Sequence, residues 1–265
     1  MGTSSRYWSE LKSADCAELA DSVAILPLSA TEQHGPHLPL NTDSAIMDGM
    51  LDQLCRAADD ILKFLILPTI TICCSAEHGD VPGSLSLSPE TMLAQLSELG
   101  SAVAQTGCRK IILVTSHGGN EEVMGLSALR FRTMHRMIAV KTSWRRFGFP
   151  GGLFDDQEWK FGIHGGDYET SLMLHLRPEL VDMSKAANFA SRTEQLRQQF
   201  ALLSPQSPHG YGWMATDLNP DGVVGRADLA TAEKGAAVAA HQTAGMLTLI
   251  EELQRADPAE LINMG

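Results

Sequence analysis

Cysteine is scarce in this chain and shows no ordered spacing. The 265 residues contain five cysteines, Cys16, Cys55, Cys73, Cys74 and Cys108. The number is odd, and no pair has the C-x-x-C spacing of zinc or redox sites. Two of them are adjacent at the end of an apolar segment, which favours buried free thiols over a disulfide framework. We therefore expect no chemistry from the cysteines.

Positive charge and long apolar runs are also lacking. The 20 lysines and arginines stand against 32 aspartates and glutamates, a formal net charge of −12. Such a chain repels a phosphate backbone, so we expect no nucleic-acid partner. Residues 1–13 have no apolar core of signal-peptide type, and no run is long enough to span a membrane. We expect a cytoplasmic protein without a membrane partner.

Apolar strand-like segments alternate with helix-like segments along the chain. The strand candidates are 22–28, 64–72, 110–115 and 137–142, and the helical patterns cover 44–58, 89–106, 121–135, 169–176 and 230–254. This order is typical of an α/β fold with a mainly parallel sheet. With 44% hydrophobic residues, the chain predicts one domain over 1–265, with 1–15 and 255–265 as peripheral ends. Residues 203–226 are expected to form a long loop, of the kind that often serves as a lid or binding element.

The segment 31–43 concentrates metal-binding chemistry directly after the first strand candidate. Glu32 and His34 are two residues apart, so they share one side of an extended chain, and Asp43 follows a loop restrained by prolines. Oxygen and imidazole donors together suit Zn or Mn. The alternative is a polar loop with an incidental histidine.

Two further clusters follow later in the sequence. His117 ends the third strand candidate before two glycines and Asn120, at the position where open α/β sheets bind ligands. His164 lies on a glycine-rich turn five residues before Glu169, which opens a helical pattern. An acidic residue there is also favoured by the helix dipole alone, so Glu169 has two interpretations of equal weight.

These motifs together resemble the creatininase (creatinine amidohydrolase) family. The resemblance is carried by residues 31–39 with Asp43, the His-Gly-Gly-Asn turn at 117–120, and residues 164–171. Glu77-His78, Pro82-Gly83-Ser84 and segments at 222–225 and 230–235 add to it. The resemblance implies a three-layer α/β/α fold, a two-metal amidohydrolase that uses Zn or Mn, with Fe as a further possibility, and a homohexamer.

The resemblance also implies roles for individual residues. Glu32 and His117 would bind one ion, His34 would bind the other, and Asp43 would bridge the two. Family members that hydrolyse creatinine have a further glutamate where this chain has Gly119. We expect Glu169 to supply the missing carboxylate.

Two divalent ions would lower the pKa of a bridging water and give a hydroxide nucleophile, while one ion polarises a substrate carbonyl. His164 is the candidate for moving the proton to the leaving nitrogen, since imidazole titrates near neutral pH. The expected substrate is a small molecule with a cyclic or linear amide.

Trp144, His78 and Gly118 are the candidate substrate contacts. Trp144 aligns with a tryptophan that contacts substrate in creatinine-hydrolysing relatives, and core packing is the equally weighted alternative. His78 is interpreted as lining the substrate mouth or as an exposed loop residue. His37 is interpreted as a hydrogen-bonded loop residue, and the alternative is a residue that supports a metal ligand. Arg145 and its neighbour Arg146 could bind an anionic group, although paired arginines are more often solvated.

Three hypotheses for function remain open at this stage. The first is cleavage of a small-molecule amide. The second is a hydrolase of the same family that acts on a cyclic polyol ketone, a formamide or a modified peptide. The third is a binding protein that has lost turnover, which the glycine at position 119 would suggest.

Overall fold

A parallel sheet forms the centre of the computed structural model, which describes residues 6–205, 208–257 and 261. Its strands are β1 (Val23–Leu28), β2 (Phe64–Ile66), β3 (Lys110–Thr115) and β4 (Ile138–Ser143). They pair in the order β2-β1-β3-β4, and every pairing is parallel. A short antiparallel pair, β5 (Asn188–Phe189) with β6 (Gly225–Arg226), lies apart from this sheet.

Helices cover both faces of the sheet. They are α1 (Thr42–Ala57), α2 (Pro89–Gln105), α3 (Glu121–His135), α4 (Asp156–Phe161), α5 (Asp167–Leu176), α6 (Arg192–Gln199), α7 (Ala215–Leu218) and α8 (Ala232–Arg255). Successive strand side chains point to opposite faces. Val23 and Ile25 therefore join one apolar core with α1, α5 and α8, while Ala24 and Leu26 join a second core with α2 and α3. The three-layer α/β/α architecture is confirmed.

The strand order creates a crevice between β1 and β3. The chain leaves β1 through α1 to reach β2 on one side, and then crosses back through α2 to β3 on the other side. The two crossovers lie on opposite faces of the sheet, as right-handed connections in opposite directions require. Connections that diverge in this way leave a ligand crevice at the carboxyl ends of the strands.

Several segment predictions needed adjustment. The strand expected over 64–72 ends at Ile66, because Pro68 has no N–H to continue the ladder. Helices α4 and α6 were not predicted, since both are short and the polar sequence of α6 has little apolar periodicity. The predicted loop 203–226 contains α7 and β6. The parts of these predictions at 1–5, 206–207, 258–260 and 262–265 lie outside the described residues.

The end of that long segment supports the site rather than covering it. Val224 exchanges backbone hydrogen bonds with His164 at 2.8 and 3.4 Å. Val223 is fully buried, and its methyl groups would lie within 3 Å of a Cβ added at Gly35 or Gly165. Both glycines have positive φ, so the close approach and the backbone conformation together favour glycine there.

The remaining structural expectations concern cysteines and membranes. All five cysteines are free thiols, and Cys73, Cys74 and Cys108 are buried. Among the described residues, no helix is long and apolar enough to cross a membrane.

Candidate metal centre

The predicted ligands converge at the crevice between β1 and β3. Glu32 and His34 follow β1, Asp43 is in the first turn of α1, and His117 comes two residues after β3. Their side chains belong to residues that are all less than 7% exposed. Three separate segments therefore deliver two carboxylates and two imidazoles to one buried place.

The first group consists of Glu32, His117 and Asp43. The Nδ1 atom of His117 lies 3.0 Å from Oε1 of Glu32 and 3.8 Å from Oδ2 of Asp43. On the other side of the ring, Nε2 lies 2.8 Å from the carbonyl oxygen of Cys74. A carbonyl only accepts, so Nε2 donates, and Nδ1 is the ring atom that faces the two carboxylates and would bind a cation between them.

The second group consists of His34, Asp43 and Glu169. The Nδ1–H of His34 donates to the backbone oxygen of Glu32 at 3.1 Å, which leaves Nε2 with its lone pair. Nε2 lies 3.9 Å from Oδ1 of Asp43 and 3.9 Å from Oε2 of Glu169. The two oxygens of Asp43 thus face different imidazoles, as a bridging carboxylate would.

These distances fit two metal ions. Two donor atoms that each lie about 2.0–2.2 Å from a shared ion are separated by at most about 4.4 Å, and each histidine–carboxylate pair above meets this limit. Among the described residues, both carboxylate oxygens of Glu32, Nε2 of His34 and Oδ2 of Asp43 are buried without a hydrogen-bond partner. Buried polar atoms are rarely left unpaired, and cations between them would satisfy all four.

The electrostatics of the centre point the same way. Burial raises the pKa of Asp43 well above its ordinary value, and the charge of Glu32 raises it further. Burial lowers the pKa of the His34 imidazole well below its usual value. Burial would also lower the pKa of His117, but the carboxylate of Glu32 outweighs it and raises that pKa. Two carboxylates in one buried space repel each other, and divalent cations relieve that repulsion.

Glu169 occupies a position that fits both of its interpretations. It is the third residue of α5, and its Oε2 accepts a hydrogen bond from the backbone N–H of Gly165 at 2.6 Å. The same oxygen faces His34, and the side chain is 13% exposed. One carboxylate oxygen therefore both fastens the glycine turn before the helix and faces the second group of ligands.

His164 lies in the centre itself. Its Nε2 donates to the backbone oxygen of Gln33 at 2.7 Å, and its Nδ1 lies 3.8 Å from Oε1 of Glu32. Glu32, His34 and His164 each place a donor atom within 4.8 Å of the others. The Nδ1 atom can accept a proton or bind a metal, so its position fits a ligand role as well as the predicted proton transfer.

His78 lies behind Glu32. Its Nδ1 accepts from the side-chain amide of Gln33 at 2.9 Å, so its Nε2–H points to Oε1 of Glu32 at 3.3 Å. The residue is 2% exposed, and burial lowers the pKa of its imidazole to about 4. The neutral ring therefore lies against Glu32, and the side chain is not among those that line the cleft described below.

A cleft of about 870 Å³ opens beside the centre. Its wall includes His117 and Glu169, together with the predicted substrate contacts Gly118 and Trp144. Trp144 is 1% exposed, and its Nε1–H points to the sulfur of Met47 at 3.3 Å. Trp144 thus packs in the core and also forms part of the cleft wall.

Glu77 is the residue at this site that sequence reasoning gave no separate role. Its Oε1 lies 3.3 Å from Nε2 of His117, on the side of the ring away from Glu32. A carboxylate beside the outer nitrogen of a ligand histidine fixes the ring and makes it a better ligand. The Glu77-His78 pair was visible in the sequence, but nothing in the spacing linked position 77 to His117.

Gly119 lies against this pair. A Cβ added there would be 2.3 Å from Oε1 of Glu77, 2.4 Å from Nε2 of His117 and 2.7 Å from the carbonyl oxygen of Cys74. The side chain of Glu77 therefore occupies the space that any larger residue at 119 would need. This explains in steric terms why position 119 is a glycine in this chain.

Gly119→Ala should accordingly weaken metal binding. The added methyl group must displace the His117 ring or Glu77, and changes to groups that orient a metal ligand lower metal affinity roughly 10- to 100-fold. Gly118→Ala is a matched control, because nothing lies within 4 Å of a Cβ at that position. Metal dissociation constants from chelator competition compare the two, and equal affinities would contradict the steric account.

Comparison with known proteins shows the family of this chain. The family model for creatininase, described as creatinine amidohydrolase, matches residues 7–250. The chain belongs to the creatininase family. It is therefore a hydrolase of that family, and the likeness predicted from its motifs is confirmed.

Relatives within the creatininase family differ in what they act on. A mycofactocin precursor peptide peptidase of Mycobacterium ulcerans (strain Agy99) is 33% identical over 224 residues, covering 80% of this chain and 77% of the relative. A creatinine amidohydrolase of Pseudomonas putida is 26% identical over 206 residues, covering 70% and 75%. A solved structure named Creatininase Mn has a TM-score of 0.72 at 22% identity, covering 96% of this chain and all of that one.

Proposed function

We propose that this creatininase-family enzyme hydrolyses an amide C–N bond with the help of two divalent metal ions. The arrangement of Asp43 carries the proposal, because its two oxygens face different imidazoles at 3.8 and 3.9 Å. A single structural ion would not require a carboxylate shared between two groups of ligands. The cleft beside these groups gives a substrate access to both.

Two groups of residues would hold the ions. Glu32, His117 and Oδ2 of Asp43 form one, and His34, Oδ1 of Asp43 and Glu169 form the other. Mixed nitrogen and oxygen donors suit Zn or Mn, with Fe as a further candidate. Bound there, such ions supply an acidified water near neutral pH and polarise a substrate carbonyl.

His164 is the residue we assign to proton transfer. The hydrogen bond from its Nε2 to Gln33 fixes the ring, so Nδ1 faces the carboxylate of Glu32 with a lone pair available. It would accept the proton of the attacking water and deliver it to the leaving nitrogen. The products are then a carboxylic acid and an amine.

The size of the cleft favours a substrate larger than a single small ring. Ligand sites for drug-sized molecules span about 300–1000 Å³, and this cleft, at about 870 Å³, is at the upper end. A peptide end, as the name of the Mycobacterium ulcerans relative suggests, is therefore the second candidate beside a small-molecule amide. A cyclic polyol ketone is a further candidate, because a 3-dehydro-scyllo-inosose hydrolase of Thermotoga maritima is 27% identical over 253 residues. A formamide is supported by a match of 95 residues to a deformylase of Methanococcus voltae.

Other predictions accompany this proposal. We retain Trp144 and Gly118 as substrate contacts, His78 as a group that acts through Glu32, and 1–265 as a single domain. The homohexamer and the cytoplasmic location likewise stay predictions. Gel filtration and fractionation of the source cells test the last two.

The purified protein should hold two divalent ions per chain. Five clustered ligand candidates and four unpaired buried atoms motivate this number. Elemental analysis after gentle purification, and again after dialysis against Zn or Mn, measures it. Less than one ion per chain, with no activity restored by either metal, would count decisively against the mechanism.

Product analysis separates the candidate reactions. Amide hydrolysis releases an amine that a ninhydrin or fluorescamine assay detects, whereas ring opening of a cyclic ketone releases none. A panel of lactams, cyclic ureas, formamides and peptide amides should therefore include at least one amine-releasing substrate. A panel in which only the cyclic ketones react would replace amide cleavage by the carbon–carbon alternative.

A further inference from the structure

The cleft has a local charge opposite to that of the whole chain. Arg145, Lys160 and Arg197 line it, and the carboxylates on its wall are Glu121 and Glu169. Glu121 is already paired with Arg146, and Glu169 faces His34. Lys160 pairs with Asp156, which does not line the cleft. In a protein of net charge −12, the cleft thus presents Arg145 and Arg197 without a paired carboxylate among its lining residues.

Among these cations, Arg145 is the one whose side chain is fixed by two aromatic rings and two backbone carbonyls. It follows Trp144 in the short 3₁₀ turn Trp144–Phe147 after β4. Its guanidinium lies 4.1 Å from the ring centroid of Trp159 and 5.2 Å from that of Tyr168. Two of its N–H groups point to the backbone oxygens of Trp159 at 3.2 Å and Gly162 at 3.5 Å. Stacking on two rings holds the planar group in one orientation.

Within the part of the chain that the structure describes, no carboxylate forms an ion pair with this guanidinium, although the charges of Glu169 and Glu158 act on it. The arginine ion pairs found among the described residues involve Arg146, Arg177, Arg226 and Arg255. Burial lowers the pKa of Arg145, yet a guanidinium stays charged in a protein. A desolvated charge without a counterion is unfavourable, and an anion that enters the cleft would remove that penalty.

We propose that the cleft recognises a substrate carboxylate through Arg145. The planar fork of a guanidinium matches a carboxylate with two parallel hydrogen bonds, and five N–H donors leave enough free after the two backbone contacts. This inference rests on the proposed function, because it places the scissile amide of the same molecule at the metal centre. The substrate class is therefore an amide that carries a free carboxylate.

The competing explanation is that Arg145 only fastens the segment around α4. Any planar donor group of that shape could make the same contacts with the two rings and the two backbone carbonyls. A purely structural role therefore gives no reason for the cleft to prefer anions. The two explanations differ in the ligand preference that they predict and not in the stability that they predict. A matched pair of cyclic amides, 5-oxoproline and its carboxamide, differs in the carboxylate alone.

Calorimetric titration of the zinc-loaded protein with this pair tests the proposal. The wild type should bind 5-oxoproline roughly 10- to 100-fold more tightly than the carboxamide, the range expected for a charge-assisted pair. Arg145→Gln should lose the preference with its metal content unchanged. Arg146→Gln is the control and should keep the preference, because Arg146 is exposed, pairs with Glu121 and does not line the cleft.

Either of two results would overturn the assignment. One is the absence of any preference in the wild type at millimolar ligand. The other is a preference that survives in Arg145→Gln, which would place the carboxylate on the metals instead. If Arg145→Gln does not fold, Arg145→Lys decides, because a lysine keeps the charge without the fork: a reduced preference supports the proposal and an unchanged one opposes it.

The test of the carboxylate site can succeed or fail independently of the test of the proposed amide hydrolysis. Hydrolysis of uncharged amides without an anion preference would leave the reaction standing and remove the carboxylate site. An Arg145-dependent preference in a protein that releases no amine from any substrate would support the carboxylate site and contradict the proposed amide hydrolysis.

Discussion

Asp43→Asn should remove both metal ions and with them the activity. The substitution keeps the shape of the side chain but removes the charge that faces His34 on one side and His117 on the other. Groups that merely orient a ligand lower metal affinity about 10- to 100-fold when changed, so loss of a shared ligand should exceed about 100-fold at both sites. Elemental analysis and turnover should fall together.

The metal-free protein gives an independent measurement. Burial and the charge of Glu32 raise the pKa of Asp43, so the ionised form is the unfavourable one in the folded protein. Replacing it with a neutral amide should leave the metal-free melting temperature unchanged or raise it, whereas the metal-loaded wild type should melt well above the variant. Asp48→Asn, on the exposed side of the same helix, is the control. Two ions held at wild-type affinity by Asp43→Asn would show that Asp43 does not bridge.

Much of this centre could be predicted because its ligands are contiguous with recognisable strands. Glu32 and His34 follow β1 directly, and His117 follows β3, so the parallel sheet alone brings them to one edge. The alternation of strand-like and helix-like segments likewise predicted the three layers of the fold, because these segments are contiguous in the sequence. What the pattern could not give is the orientation of each ring, because the choice between Nδ1 and Nε2 depends on a carbonyl elsewhere in the fold.

The residues that were misplaced or missed depend on long-range contacts. His78 was expected to line a substrate mouth or to be an exposed loop residue, but it is buried, and the hydrogen bond from Gln33 orients its ring toward Glu32. Glu77 reaches His117 across 40 positions of sequence, and only the folded chain reveals that Gly119 makes room for it. Local spacing contains no information about such pairs, so a steric account of position 119 had to wait for the structure.

The glycine at 119 also bears on whether this protein is a catalyst. In the sequence it suggested a lost ligand and a protein without turnover. In the structure the surrounding space is filled by Glu77, a carboxylate that supports a ligand histidine. The charge near His117 is thus retained by a residue from a different segment, which favours a working centre over an abandoned one.

Glu169→Gln should cost the protein one ion and most of its activity while leaving the other ion in place. The carboxylate lies 3.9 Å from Nε2 of His34, as far as Asp43 does, and an uncharged amide binds Zn or Mn far less well. The remaining ion should stay on Glu32, Asp43 and His117. Metal content per chain should therefore fall from two to one.

The competing account makes Glu169 a helix-start residue alone. Its Oε2 accepts from the N–H of Gly165, and loss of an acidic residue near a helix N-terminus lowers stability by about 0.3–1 kcal/mol. Glutamine keeps an oxygen that can accept the same hydrogen bond, so the substitution spares the turn and tests the charge. Glu233→Gln, in the first turn of α8 and away from the centre, gives the size of the dipole effect by itself.

The two accounts make opposite predictions for metal content. A small drop in melting temperature matching that of Glu233→Gln, with two ions retained, would make Glu169 a cap. The second ion would then have to rest on His34 and Asp43 with His164, which offers a further donor atom near His34. A double variant with His164→Gln would lose that ion if this is so, whereas a ligand role for Glu169 predicts its loss in the single variant already.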